Sequence, residues 1–339
     1  MKRQIILILG FSILFILSCF FPSVIGFSSM LEESFSCKSG SPAAGDIIIV
    51  DDEGDGDFIR IQDALNHSNQ GDTIEVYSGT YYEFDIYIRI EGIMLKGIPY
   101  EHGNGSDTGK PFINGEGKGD LIFIEAKNVI IDGFKIENDG GTLANGIMAL
   151  RQGADGSTIS NNDIAHSTMA CIWVKSSNNT IINNNISYSV IRQGIVLRDP
   201  CSNCLVSGNV ISNVETGILC WDSNHNTITG NKISKCSRFG LDIAGGEFNT
   251  VKGNTFDDNT IGIHLYYGVG SRIKNNNFID NQIQAHFEYG IPPFWVLLNR
   301  WNGNYWGEPR LLPYPIRGVY FFIPWIQFDW FPAKYPYDI

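Results

Sequence analysis

The sequence of 339 residues predicts an all-β fold: a right-handed, single-stranded parallel β-helix of about nine or ten coils over residues 46–291. Three observations predict it. An asparagine recurs every 22–25 residues, aliphatic residues occupy fixed positions around it, and a second polar column lies five residues before it. A repeat of this length is typical of a solenoid, in which each coil packs against its neighbours.

The repeated asparagine marks the coils. Each copy follows an Ile or Val by three residues and precedes an Ile or Phe by two; the copies are Asn162, Asn184, Asn209, Asn231, Asn254 and Asn276. Apolar residues that alternate with polar ones indicate strands with one buried face. We therefore expect the asparagines to stack at the strand spacing of about 4.8 Å, where their amides can bond along the column.

Both ends of a solenoid expose its core and need a cap. The helical spacing of apolar residues in 59–65 predicts a short N-terminal capping helix. Residues 292–339 are rich in aromatic residues and proline, which predicts a C-terminal cap or tail folded back onto the solenoid. An aromatic platform for sugar binding is the alternative for this segment.

The N-terminus predicts export. Lys2 and Arg3 precede an apolar run that ends near Phe21, which indicates a signal peptide over residues 1–26, with an uncleaved membrane anchor as the alternative. A linker over 27–45 follows. The formal net charge of -12 disfavours nucleic acid as a partner, and the only predicted membrane contact is an uncleaved N-terminal segment. We expect a secreted or cell-surface protein, and the sequence leaves its oligomeric state open.

Two groups of motifs carry a family resemblance. The segments 50–58, 61–65, 71–74 and 79–81 resemble the N-terminal signature of pectin-lyase-like β-helix proteins. The Asn-x-Ile coils resemble parallel β-helix repeat proteins of the NosD type, many of which are archaeal surface proteins. The resemblance implies the fold, but this scaffold hosts lyases, hydrolases, esterases, adhesins and copper-insertion accessory proteins, so function must be argued from a site.

A polygalacturonase-like catalytic set is incomplete. The chain contains Asp257-Asp258, His264 and Arg272-Ile273-Lys274, but it lacks the Asn-Thr-Asp motif. Inverting glycosidases need two carboxyl groups about 6.5–9.5 Å apart across the scissile bond. Because no complete glycosidase or lyase set is found, enzyme activity stays open.

The second strand of each coil predicts a metal site on its outward face. One outward column reads Met148, Trp173, Val196, Leu219, Asp242, His264 and His286. Its last three members, Asp242, His264 and His286, lie on consecutive rungs, and two imidazoles with one carboxylate can bind a divalent metal. The alternative is a surface strip shielded by the C-terminal tail.

A set of aromatic and charged residues on the same face predicts substrate binding. Its members are Trp173, Lys175, Arg198, Trp221, Tyr266 and Glu288. Aromatic rings stack on sugars and charged groups bind their substituents, so we expect the protein to bind, and on one reading to process, a polysaccharide or another cell-envelope component. The alternatives are a structural surface protein or adhesin, and a NosD-like copper-insertion accessory protein. The five methionines provide no dense Met/His/Cys cluster for copper delivery.

Overall fold

A computed structural model describes residues 45–118, 120–138, 147–188, 192–290 and 299–339. The predicted signal peptide and nearly all of the predicted linker lie outside these ranges. Within them, no helix is long and apolar enough to cross a membrane.

The secondary structure is almost entirely strand. In chain order the elements are β1 (Ile47–Val50), α1 (Ile61–His67), β2 (Thr73–Val76), β3 (Thr80–Tyr81), β4 (Ile86–Ile88), β5 (Met94–Gly97), β6 (Phe112–Asn114), β7 (Ile122–Ile124), β8 (Ile130–Asp132), β9 (Lys135–Glu137), β10 (Met148–Leu150), β11 (Thr158–Ser160), β12 (Asp163–Ala165), β13 (Ala170–Val174), β14 (Thr180–Ile182), β15 (Asn185–Ser187), β16 (Gln193–Arg198), β17 (Leu205–Ser207), β18 (Val210–Ser212), β19 (Thr216–Trp221), β20 (Thr227–Thr229), β21 (Lys232–Ser234), β22 (Phe239–Ala244), β23 (Thr250–Lys252), β24 (Thr255–Asp257), β25 (Ile261–Tyr266), β26 (Arg272–Lys274), β27 (Asn277–Ile279), β28 (Ile283–Tyr289), β29 (Arg300–Asn302), β30 (Tyr314–Tyr320) and β31 (Ile323–Asp329).

These strands form three sheets along a solenoid of about ten turns, which confirms the predicted parallel β-helix. Sheet A runs from β1 to β29, sheet B from β3 to β27 and sheet C from β4 to β31. A typical coil contributes one strand to each sheet, and each strand pairs in parallel with its equivalent one coil away, as β14 does with β17. The inward residues of all three sheets form one continuous apolar core.

The asparagine column is buried at the turn between sheets A and B. The backbone N–H and the side-chain Nδ2 of Asn184 both donate to Oδ1 of Asn209, at 2.9 and 3.0 Å. Nδ2 also donates to the carbonyl of Ile159 at 2.9 Å. The same pairing repeats along the column from Asn162 to Asn304. Each amide therefore joins two coils and satisfies backbone groups that the turn would leave unpaired.

A buried carboxylate ends this column. Asp329 accepts hydrogen bonds from the backbone N–H and Nδ2 of Asn304, at 2.9 and 3.0 Å, where the next asparagine would otherwise stand. It also accepts from the backbone of Gly303 and from the indole of Trp306. A carboxylate suits this position because it can only accept, and every group facing it is a donor.

Caps cover the core at both ends. The N-terminal helix α1 buries Ile61, Ala64 and Leu65 against the first coil, and the Glu83 carboxylate accepts the first two helical N–H groups, which confirms the predicted capping helix. At the other end lies an aromatic cluster, in which Trp306 stacks between other rings.

The described part of the C-terminal segment extends the solenoid. Strand β29 pairs with β26 in sheet A, β30 pairs in parallel with β28 in sheet C, and β31 returns antiparallel to β30. The described part of this segment therefore lies at the last coil. The strands continue sheet C beyond β28 rather than lie over its outward face.

One predicted register is wrong. Met148 was expected to point outward beside Trp173, but it pairs with Ile172 and is fully buried, while Ala149 pairs with Trp173. Four consecutive apolar residues, 147–150, occupy this position, so alternation of polarity could not identify the inward pair.

The asparagine column can be tested with two adjacent residues. Replacing Asn184 by Leu removes its hydrogen bonds and should cost about 1–3 kcal/mol for each buried group left unpaired. Asn185 is exposed on the outward side of β15, so Asn185→Leu should change the free energy of unfolding by no more than about 0.5 kcal/mol. Urea denaturation measures both, and equal stability of the two variants would contradict the role given to the column.

Candidate functional site

All nine predicted site residues lie on the outward side of sheet C. They belong to, or directly follow, six consecutive strands from β13 to β28. Five rung spacings separate the two ends of this group, which is about 24 Å along the solenoid axis. The residues divide into two adjoining clusters.

The first cluster is built around Arg198. Its guanidinium carbon lies 4.4 Å from the ring centroid of Trp221 and 5.6 Å from that of Trp173, so the cation lies between two indoles. The Lys175 ammonium lies 5.7 Å from the Trp173 ring. Trp221 remains 43% exposed. Among the residues that the structure describes, neither Lys175 nor Arg198 has a carboxylate within 4.0 Å.

The same pattern continues toward the N-terminus, on strands that carry none of the predicted site residues. The ring of Tyr87 stacks on that of Phe123 at 4.7 Å, and Arg89 and Arg151 lie over these rings at 4.2 and 4.0 Å. Glu125 pairs with both arginines. Phe123 and Ala149 precede Trp173 in one outward column. A prediction that placed Ala149 instead of Met148 beside Trp173 would therefore have included Phe123 in this column.

The second cluster lines a surface pocket of about 520 Å³. The pocket brings together five of the predicted residues, Asp242, Tyr266, His264, His286 and Glu288, and the rest of its lining is Arg238, Phe239, Ile261 and Ile283. Arg238 and Phe239 were not among the predicted site residues. Phe239, Ile261 and Ile283 hold equivalent positions on β22, β25 and β28, so a comparison of these positions along the sequence would have shown Phe239.

The ring of His264 is held on two sides. Its Nδ1 lies 2.9 Å from Oδ1 of Asp242, and its face stacks on Phe239 with ring centroids 4.4 Å apart. Since an ionised carboxylate only accepts hydrogen bonds, Nδ1 donates its proton to Asp242, and in the neutral form of the ring Nε2 keeps its lone pair. Asp242 therefore orients His264 through one nitrogen and leaves the other available as a base or metal ligand.

Glu288 lies between the two histidines. Its Oε1 is 3.8 Å from Nε2 of His264 and 3.6 Å from Nε2 of His286, and the two imidazole rings are parallel with centroids 6.0 Å apart. The ligand atoms of the predicted metal set do not all lie within 4.8 Å of one another. In the described part of the chain, two sets of three carboxylates have ligand atoms that all lie this close together: Asp51, Asp52 and Glu53, and Glu53, Glu101 and Asp107.

The polygalacturonase-like residues do not form one site. Asp257 lies on β24 in sheet B, His264 on β25 in sheet C, and Arg272 on β26 in sheet A. Residues on three different faces of a solenoid cannot surround one glycosidic bond, so their order in the sequence carries no catalytic meaning.

The described cysteines offer no surface thiolate. All five are buried, and burial raises the pKa of Cys171, Cys220 and Cys236 to about 12. These three therefore remain neutral thiols inside the core. Met148 is also fully buried, and the residues that line the pocket include no Cys or Met, so soft sulfur ligands are not gathered there.

The environment of His286 makes its protonation a test of the pocket. Burial lowers the pKa of His286 from its ordinary value, His264 lowers it further, and Glu288 raises it. A proton NMR titration should therefore give a midpoint below 6.5, lower still in Glu288→Gln and higher in His264→Gln. Because the unfolded chain binds this proton more tightly than the folded one, the His286 contribution to stability should be lost as the pH falls below about 6.5. Shifts of the opposite sign in the two variants would refute this geometry.

Solved structures share the fold. The structure of XylC in complex with xylose superposes with a TM-score of 0.54 at 11% identity, covering 84% of this chain and 73% of that chain. PfbA, a surface adhesin of Streptococcus pneumoniae, gives 0.54 at 13% identity, covering 73% and 75%. AlyGC, a PL6 family alginate lyase, gives 0.52 at 11% identity, covering 76% of this chain and 42% of that chain. A search of curated proteins gave no match.

The sequence itself matches a family model. The model is described as periplasmic copper-binding protein (NosD), and it matches residues 65–311, which is well over half of the chain. The match extends from α1 past β29 and includes both clusters on sheet C. The repeat, the parallel β-helix and this match agree: the chain belongs to the NosD family.

Proposed function

We propose that the protein binds acidic polysaccharide along the outward face of sheet C. The observation that carries this proposal is the position of Arg198 between the indoles of Trp173 and Trp221, with no carboxylate partner among the described residues. An indole presents a flat apolar face to a sugar ring. A guanidinium beside it donates paired hydrogen bonds to a carboxylate or sulfate group.

Local charge favours an acidic ligand, although the whole protein is acidic. Four cations, Arg89, Arg151, Lys175 and Arg198, occupy the half of the face nearer the N-terminus. Glu125 is the acid that pairs with two of them. A local field of one sign raises the concentration of oppositely charged ligands at a surface. These four cations therefore allow an acidic ligand to bind to this face although the protein has a net charge of -12.

The shape of the face suits an extended chain. Aromatic and charged side chains succeed one another along the axis from Tyr87 to Glu288, and the pocket at His264 lies at the C-terminal end of this series. A polymer lying along the axis would contact several rungs at once. Glycan-related proteins and an adhesin among the similar structures are compatible with this use of the fold.

Calorimetry with short oligogalacturonides tests the proposal. Trp221→Ala and Arg198→Ala should each lower the affinity about tenfold or more, because they remove a stacking face or the cation that it supports. Tyr82→Ala and Lys232→Ala remove an exposed aromatic residue and an exposed cation away from sheet C, and they should leave the affinity unchanged. Equal affinity in all four variants would refute the proposal.

A second candidate function is metal binding in the pocket. Copper is implied by the description of the family, and the imidazoles of His264 and His286 with the Glu288 carboxylate suit copper(II) or zinc. Asp242 would then orient His264 from behind instead of binding the metal itself. The ligand atoms would have to move closer together, and the exposed Glu288 side chain has room to do so.

Titration with copper(II) and zinc tests this candidate. Wild-type protein should bind one ion, and His264→Ala and His286→Ala should abolish binding, whereas His102→Ala, outside the pocket, should not. Binding should also weaken as the pH falls through the range in which the imidazoles gain protons. If all four proteins bind equally or not at all, the histidines are not metal ligands.

A further inference from the structure

The last three strands of sheet A carry a basic patch that the sequence analysis did not identify. Arg272 pairs in register with Arg300, and Lys252 pairs in register with Lys274. All four side chains are exposed on the outward side, while the residues between them point into the core. The patch is thus a staggered array of two cation pairs on three consecutive rungs, which lie about 4.8 Å apart.

The described neighbours of this array in sheet A include no acidic residue. From β17 to β29 the outward residues of sheet A are Leu, Ser, Thr, Lys, Arg and Asn, without a carboxylate. Within the described ranges, none of the four cations forms an ion pair. Like charges on neighbouring strands destabilise a sheet, and this chain has 36 acidic residues from which partners could have been drawn. An uncompensated array on an acidic protein indicates an anionic ligand.

A pocket of about 480 Å³ adjoins the array. Arg272, Arg300 and Thr250 form part of its lining, and His225 and Phe248 provide another part. The rings of His225 and Phe248 are nearly parallel, with centroids 5.4 Å apart. The pocket therefore combines guanidinium groups for an oxyanion with the exposed edge of an aromatic stack, which a sugar ring can contact.

We infer that Arg272, Arg300, Lys252 and Lys274 form a second binding site, specific for acidic glycans bearing carboxylate or sulfate groups. It lies on sheet A, whereas the proposed polysaccharide strip lies on sheet C, so the two sites face different directions. Two sites on one rigid solenoid can bind two glycan chains, which gives the protein a cross-linking capacity. The aromatic lining favours a glycan over an anionic membrane, which would need a broad charged surface without a ring-lined pocket.

Reversing the charge of Arg272 tests whether the patch binds a ligand or only stabilises the fold. Arg272→Glu places a carboxylate opposite Arg300 on the neighbouring strand and diagonal to Lys252, so the melting temperature should stay the same or rise. Affinity for a sulfated heparin hexasaccharide should nevertheless fall at least tenfold at this site. Neutral dextran oligosaccharides should not bind there, and added salt should weaken the hexasaccharide binding. Lys232→Glu makes the same change in net charge on sheet B and should leave the affinity unaltered.

Calorimetry on the full-length protein counts the two sites separately. Wild type should bind two hexasaccharides, Arg272→Glu should retain the site on sheet C, and Arg198→Glu should retain the one on sheet A. If Arg198→Glu lost all hexasaccharide binding and Arg272→Glu lost none, this inference would be overturned and the proposed function would stand. Equal binding by Arg272→Glu and wild type, or binding of phosphatidylglycerol vesicles without binding of the hexasaccharide, would also overturn it.

Discussion

The amide-to-amide bonding of the buried asparagines is the interaction on which the rest of the structure depends. Each one fixes the register between two coils, since its Oδ1 accepts both donors of the preceding asparagine. A parallel sheet whose register slips by one residue turns its buried face outward. The column therefore determines which side chains of sheet C face solvent, and so determines whether Trp173, Arg198 and Trp221 meet at all.

Once the register is fixed, the arrangement of side chains on the outward face of sheet C follows from the stacking of equivalent residues on successive rungs. Equivalent residues of consecutive coils lie at the strand spacing, which is close to the distance at which rings and guanidinium groups stack. Three parallel rings, those of Phe239, His264 and His286, show the result. A solenoid thus builds a ligand surface by repetition, and changes at single outward positions alter that surface without disturbing the core.

The sequence predicted most of the fold because the repeat is both regular and physically required. Where it is regular, from Asn162 to Asn276, the outward columns were placed correctly, including the series Asp242, His264 and His286. Prediction failed at Met148, where both faces are apolar, and missed a third amide column formed by Asn259 and Asn281, which has few copies. The contact of Glu288 with both histidines depends on side-chain conformation, which a pattern of residue types does not contain.

Hydroxyl-radical footprinting with an oligogalacturonide tests most directly whether sheet C is the principal ligand-binding face, as proposed. Bound glycan should protect Trp173, Trp221 and Tyr266 from oxidation, while Tyr82 and Tyr335, which are exposed elsewhere, should react as in the free protein. Protection confined to residues away from sheet C, with unchanged oxidation of Trp173 and Trp221, would contradict the account.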